Sequence, residues 1–245
     1  MRKLLILGAT SIIAQSIARE FARNGYSLFL AGRDLQELER LAEDLKIRAQ
    51  AEVHWGEFEA TDYERHPEFI QGAIEALGGL TGAILCFGCL GDQELASRDF
   101  QHARRIIESN YLGAVSLLTP VAGYLETKKH GFIVGLSSVA GDRGRQSNYI
   151  YGSAKGAFSL FLQGLRNRLA PAGVQVIAAK LGFVDTRMTY GKPGIFLAAS
   201  PEKIGRGVYT AVSRSRNVIY LPWFWRPVMA VLRLIPESIF KRLKL

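Results

Sequence analysis

The sequence predicts a single α/β domain, a doubly wound and mostly parallel sheet of seven strands with helices on both faces. Three observations predict it. Short runs rich in aliphatic residues recur along the chain with helix-like segments between them, the order that builds parallel strands joined by crossover helices. Several of those runs, "LLIL", "AILCF", "FIVGL" and "VQVIAA", are apolar at nearly every residue, as strands are when helices cover both faces of the sheet. With 245 residues, 48% of them hydrophobic, the chain is long enough to bury one large core.

The elements follow in order. A first strand is expected at 3–7, and after the turn "GATS" a helix over 12–24. Gly25 then suits a left-handed helix terminator, as Gly173 does after a later helix. A second strand at 27–31 leads into a helix over 35–48, which Asp34 and Glu37 open as a capping box. A weaker strand at 51–55 precedes a helix over 64–77, and a fourth strand lies at 82–86. The helix expected over 99–128 contains Pro120, which should kink or break it there. Strands at 132–136, 174–180 and 218–221 complete the sheet, with helices over 151–170 and 201–213 between them. These strands and helices form a domain over 1–222, and 223–245 is a basic, aromatic, helical extension. Such a sheet binds ligands beyond the carboxyl ends of its strands, so functional residues should follow strands.

Composition narrows the function. Two cysteines make no disulfide framework, so a cytoplasmic setting is expected. The net charge is +9, and six of the nine excess charges fall in residues 214–245, where seven Lys and Arg face the single acid Glu237. The rest of the chain interleaves its charges, and no nucleic-acid groove is indicated. The start, "MRKLLILGATSIIAQSIA", mimics a secretory leader, but the strands and helices that follow favour a first strand and helix. No apolar run approaches the roughly 18 residues that span a bilayer.

Chemistry concentrates in "SSVAGDRGRQSNYIYGSAK". Tyr151 and Lys155 stand four apart on one helix, so their polar ends can converge, and Ser138 lies 13 residues earlier, just after a strand. On these residues the chain resembles the short-chain dehydrogenase/reductase family, whose signature is Tyr-x-x-x-Lys with a serine about 13 residues before it. The resemblance covers residues 1 to about 220 and implies a Rossmann-type domain. It also implies hydride transfer between a nicotinamide cofactor and a carbonyl or secondary alcohol. Hydride addition leaves charge on the carbonyl oxygen, which needs a proton donor and a hydrogen-bond donor beside it. The resemblance makes Tyr151 that acid, Ser138 the carbonyl anchor, and Lys155 the cation that stabilises the phenolate and binds the nicotinamide ribose. Asn110, in "IIESNYLGAV", matches the family's asparagine and would hold the water that resupplies the proton.

The resemblance also places the cofactor. Gly8, Thr10, Ser11, Ile12 and Ile13 should surround the pyrophosphate at a helix N-terminus, where unpaired amides favour an anion. The family's Gly-x-x-x-Gly-x-Gly is only partly kept: Ile12 and Ala14 stand at the second and third glycine positions, so the Ile12 side chain must turn away from the pyrophosphate. Arg33 favours the 2′-phosphate of NADP, whereas Asp34 would serve NAD or merely cap a helix. NADP is expected over NAD. Glu59 should lie near adenine, Gly88 should remain from the family's Asn-Asn-Ala-Gly, and Val184 and Thr186 should meet the carboxamide. Gly182 persists in the same stretch.

Two features remain. Cys86 and Cys89 form a C-x-x-C, but the four histidines show no ligand spacing; packing cysteines are expected, and no metal. In the extension, Trp223, Phe224 and Trp225 precede an apolar stretch, and Lys241, Arg242 and Lys244 follow it. This suits a helix lying on an anionic membrane, or one packed over the substrate cleft or against a second subunit. The extension is similar to that of reductases acting on polyprenyl-phosphate-linked sugars, the ketoribose reductase type, which implies a lipid-linked carbonyl substrate. Specificity should lie there and in "RMTYGKPGIFLAAS". A homo-oligomer, dimer or tetramer, is implied through the helices at 99–128 and 151–170. The rival reading is a dinucleotide sensor or membrane-docked scaffold without catalysis.

Overall fold

The computed structural model describes residues 2–185 and 198–243. Its sheet comprises β1 (Arg2–Leu7), β2 (Tyr26–Gly32), β3 (Val53–Glu57), β4 (Gly82–Leu85), β5 (Gly131–Ser138), β6 (Val174–Leu181) and β7 (Val218–Leu221). They run in the order β3-β2-β1-β4-β5-β6-β7, and every paired strand is parallel. The chain winds outward from β1 in one direction and from β4 in the other. The topological switch therefore lies between those two strands, where such sheets open a ligand crevice.

Alternation along the strands makes two cores. Leu4 and Ile6 point to one face and Leu5 and Leu7 to the other, and Phe132 and Val134 oppose Ile133 in the same way. The first face is closed by α1 (Ile12–Arg23), α2 (Leu35–Ala49) and α8 (Pro201–Ser213). The second is closed by α3 (His66–Leu77), α6 (Gly113–Lys128) and α7 (Tyr149–Leu169). Short helices α4 (Gln93–Ala96) and α5 (Phe100–Ile107) follow β4, and α9 (Trp225–Leu234) and α10 (Glu237–Phe240) follow β7.

The long helix expected over 99–128 is interrupted, though not at Pro120, which lies inside the continuous helix α6. The interruption is a π-turn at Glu108–Leu112, closed by an i→i+5 bond from Gly113 N–H to the Glu108 carbonyl. Gly113 is needed there, because a Cβ would stand 2.2 Å from the Ala60 carbonyl oxygen. The capping box is half formed: Asp34 accepts from the Glu37 amide at 3.0 Å, while Glu37 Oε1 takes the side chain of Gln15 instead. No helix among the described residues is long and apolar enough to cross a membrane.

Candidate active site

Ser138, Tyr151, Lys155 and Asn110 converge at the carboxyl ends of β4 and β5. Ser138 is the last residue of β5, and its Oγ accepts from the Ala140 amide at 3.1 Å and donates to the Leu181 carbonyl at 3.4 Å. Helix α7 begins at Tyr149, two residues earlier than the sequence suggests, which puts Tyr151 in its first turn and Lys155 one turn deeper. Lys155 is 4% exposed, and its Nζ donates to the Leu136 carbonyl at 3.2 Å and stands 5.9 Å from the Tyr151 ring centre.

Burial governs both ionisations. It pushes the Tyr151 hydroxyl up to about 12, against the pull of a hydrogen bond from Ser138, with the Cys89 thiol adding to the rise. It draws the Lys155 ammonium down to about 8. Desolvation of the charged form is the largest cause of each shift, and neither group is among the causes of the other's.

Asn110, 1% exposed, sits in the π-turn. Its Nδ2 donates to the Cys89 carbonyl at 2.6 Å and to the Ile106 carbonyl at 2.8 Å, and its Oδ1 accepts from the Cys89 amide at 3.3 Å. The side chain thus clamps the turn after β4. A Cβ on Gly88 would lie 2.6 Å from Asn110 Oδ1 and 3.0 Å from Lys155 Nζ, so these three residues meet at one point that only glycine leaves open. Cys86 is packed against the core, and burial pushes its thiol far up; Cys89 is exposed, so the expectation of two buried cysteines fails for the second. It follows the clamped turn outward. Among the described residues no three metal-ligating side chains cluster.

The turn between β1 and α1 is built as a cradle. Gly8 adopts φ +81°, and a Cβ there would stand 2.8 Å from the Phe87 backbone nitrogen. Ser11 is the N-cap of α1, its Oγ accepting from the Ala14 amide at 3.2 Å. Ile12 opens the helix half-exposed, Ile13 packs partly against the core, and Ala14 is fully buried, where a small residue lets α1 lie close to the sheet. Beside this turn a cleft of about 490 Å³ is lined by Thr10, Arg33, Asp34, Leu35 and Gln36. The Arg33 side chain is 79% exposed at its lip, 3.6 Å from Glu59 Oε2. Glu59 Oε1 accepts from the amide and hydroxyl of Thr61, both at 3.3 Å. The donor set fits a dinucleotide phosphate: a glycine turn, a helix N-terminus and an exposed guanidinium.

Val184 is buried and bridges to Ala199. Thr186, and most of the stretch expected to carry specificity, lie outside the described residues.

A second group of residues braces this end of the sheet, and Asp142, Arg143, Lys180 and Tyr220 among them were not singled out by the sequence. Asp142, four residues after Ser138, binds Lys180 of β6 and accepts from the Tyr220 hydroxyl of β7 at 2.7 Å. Burial and Asp142 push the Tyr220 hydroxyl up to about 12. Arg143 holds the extension: it donates to the Arg233 carbonyl at 3.0 Å and to Glu237 Oε2 at 2.8 Å, and its guanidinium lies 4.0 Å from the Phe240 ring centre. Trp225 and Met229 of α9 pack on Val139, the neighbour of Ser138. A Cβ on Gly182 would stand 1.8 Å from Trp225 Nε1. One sequence signal was available: lysine at the end of an otherwise apolar strand needs a buried partner.

The sequence profile of the short chain dehydrogenase family matches residues 2–193. An uncharacterised oxidoreductase of Mycobacterium tuberculosis is 36% identical over 240 residues, covering 98% of this chain and 96% of that protein. One from Streptomyces coelicolor is 34% identical over 245 residues, 99% and 96% of the two chains. Among solved structures, a short-chain dehydrogenase from Sphingobium yanoikuyae in complex with NADPH aligns at a TM-score of 0.82 with 22% identity over 97% of each chain. An alcohol dehydrogenase from the archaeon Thermococcus sibiricus, complexed with 5-hydroxy-NADP, aligns at 0.80 with 24% identity over 90% of this chain and 95% of that one.

Proposed function

This chain belongs to the short-chain dehydrogenase family of oxidoreductases, and from that premise we propose that it reduces a ketone, or oxidises the matching secondary alcohol, with NADP(H). The observation that carries this reading is the convergence of Ser138, Tyr151, Lys155 and Asn110 at the carboxyl ends of β4 and β5. When bound, the nicotinamide supplies the hydride to the carbonyl carbon. The Tyr151 hydroxyl, kept protonated by burial, gives its proton to the carbonyl oxygen. Ser138 holds that oxygen with a hydrogen bond, and the Lys155 ammonium stabilises the phenolate left behind. Hydride and proton together convert ketone to alcohol, and in the reverse direction Tyr151 takes the hydroxyl proton. Asn110 fixes the Gly88–Cys89 turn against Lys155 and supports the return of the proton from solvent.

Gly8, Thr10, Ser11, Ile12 and Ile13 hold the pyrophosphate at the start of α1, with Glu59 by the adenosine and Gly88 and Val184 by the nicotinamide. Arg33, exposed at the lip of the cleft, supports NADP over NAD, since its contact with Glu59 is an exposed pair of small energy. The NADPH and 5-hydroxy-NADP in the two solved relatives support the same choice, although a xylitol dehydrogenase aligned at a TM-score of 0.76 holds NAD+. The substrate is a hydrophobic or lipid-linked carbonyl, a reading supported by the aromatic, apolar extension, whose Trp225 and Met229 pack on Val139, the neighbour of Ser138. The protein works as a homo-oligomer in the cytoplasm, at the inner face of the membrane when the carbonyl is lipid-linked.

Fluorescence titration with NADPH and NADH tests the cofactor. Tighter binding of NADPH, reduced about tenfold or more by Arg33→Ala, is expected. Binding of neither nucleotide would refute the reading.

A further inference from the structure

Helix α9 is apolar on both sides. Its inner side, Trp225, Met229 and Leu232, closes over Val139. Its outer side exposes Val228, Val231 and Leu234, the last at 82%, with Trp223 exposed at 77% just before the helix and Ile239 and Leu243 exposed beyond it. A helix end facing water alone would carry polar residues on its outer side. Arg226, Arg233, Lys241 and Arg242 are exposed on the same segment, and its single acid, Glu237, is held by Arg143.

We propose that this outer surface of α9 and α10 docks the protein on an anionic lipid surface, the apolar side chains entering the headgroup boundary and the four cations meeting lipid phosphates. Charge selects this partner over a second copy of the chain. A two-fold contact through the same patch would set the four cations against themselves, with only Glu237, already paired with Arg143, to offset them. An anionic bilayer satisfies both the apolar row and the cations that flank it. Because the inner side of α9 packs on the residue next to Ser138, docking sets the substrate cleft at the lipid boundary. That consequence rests on the carbonyl-reductase reading given above; the docking itself does not.

The full-length protein is sedimented with vesicles of phosphatidylcholine alone and of phosphatidylcholine with about one-third phosphatidylglycerol. Binding to the anionic vesicles is expected to be at least about tenfold stronger, and to be lost in about 0.5 M salt. The paired variants Val231→Ser/Leu234→Ser and Arg226→Glu/Arg233→Glu change only exposed positions. Each should reduce pelleting by about tenfold or more while leaving NADPH binding unchanged, which reports an intact fold. Equal pelleting with neutral vesicles, no pelleting at all, or variants that pellet like the wild type would each overturn the proposal. A change of mass in light scattering by Val231→Ser/Leu234→Ser, with no lipid binding, would assign the surface to a second copy instead. NADPH turnover with Tyr151→Phe reports on the catalytic reading separately, so the two can fail independently.

Discussion

Burial moves Tyr151 and Lys155 in opposite directions, and both shifts bear on the proposed mechanism. With its hydroxyl at about 12, Tyr151 stays protonated throughout the physiological range, as the proposed donor must be before hydride transfer. Lys155, at about 8, is a cation below that pH and loses its proton as pH rises through it. If the ammonium stabilises the phenolate, kcat/KM for reduction is level below about pH 8 and declines above it; a profile flat to pH 9 would remove Lys155 from that role. Tyr151, Lys155 and Ser138 were legible because helix periodicity and a strand end set their spacing. Their ionisation was not, since it follows from depth of burial, which the local sequence does not encode. Ile12 was a concern at the sequence level because its side chain borders the phosphate turn; it stands half-exposed at the mouth of the turn, while the buried contact falls to Ala14.

At the scale of elements, all seven strands and five of the six expected long helices were legible from apolar runs, with small shifts in their ends such as β3 at Val53–Glu57 instead of 51–55, whereas the helix expected over 99–128 divides into α5, the π-turn and α6. The π-turn was not, because an i→i+5 bond leaves no periodic trace in 5 residues, whereas Pro120 gave a misleading break signal. Asn110 was found through family resemblance, and the structure gives it a further task in holding Cys89. Gly113→Ala tests how tightly this turn is set. Its Cβ would meet the Ala60 carbonyl, and overpacking of this kind costs about 1–3 kcal/mol, read as a lowered urea midpoint. Stability equal to wild type would show that α6 can shift without cost. Gly182→Ala probes the contact between β6 and α9. The new methyl would displace Trp225, so tryptophan emission should shift to the red and quench more readily, and unchanged emission would contradict the packing described here.

At the scale of the molecule, two cores on either side of one sheet leave the carboxyl ends of β1, β4, β5 and β6 as the place where the turn after β1, Tyr151 and Lys155 lie. The aromatic and basic character of the extension was plain in the sequence, but which of its sides packs inward was not. That choice depends on Arg143, which lies about 90 residues before its partners in the extension. The extension is thus part of the wall beside Ser138 as well as an exposed surface. The most direct test of the central claim follows NADPH oxidation at 340 nm with a panel of apolar ketones, comparing wild type with Tyr151→Phe. The account predicts turnover by the wild type and a loss of about 10² to 10⁴-fold in kcat for the variant, with NADPH affinity unchanged. A variant that turns over as fast as the wild type would contradict it.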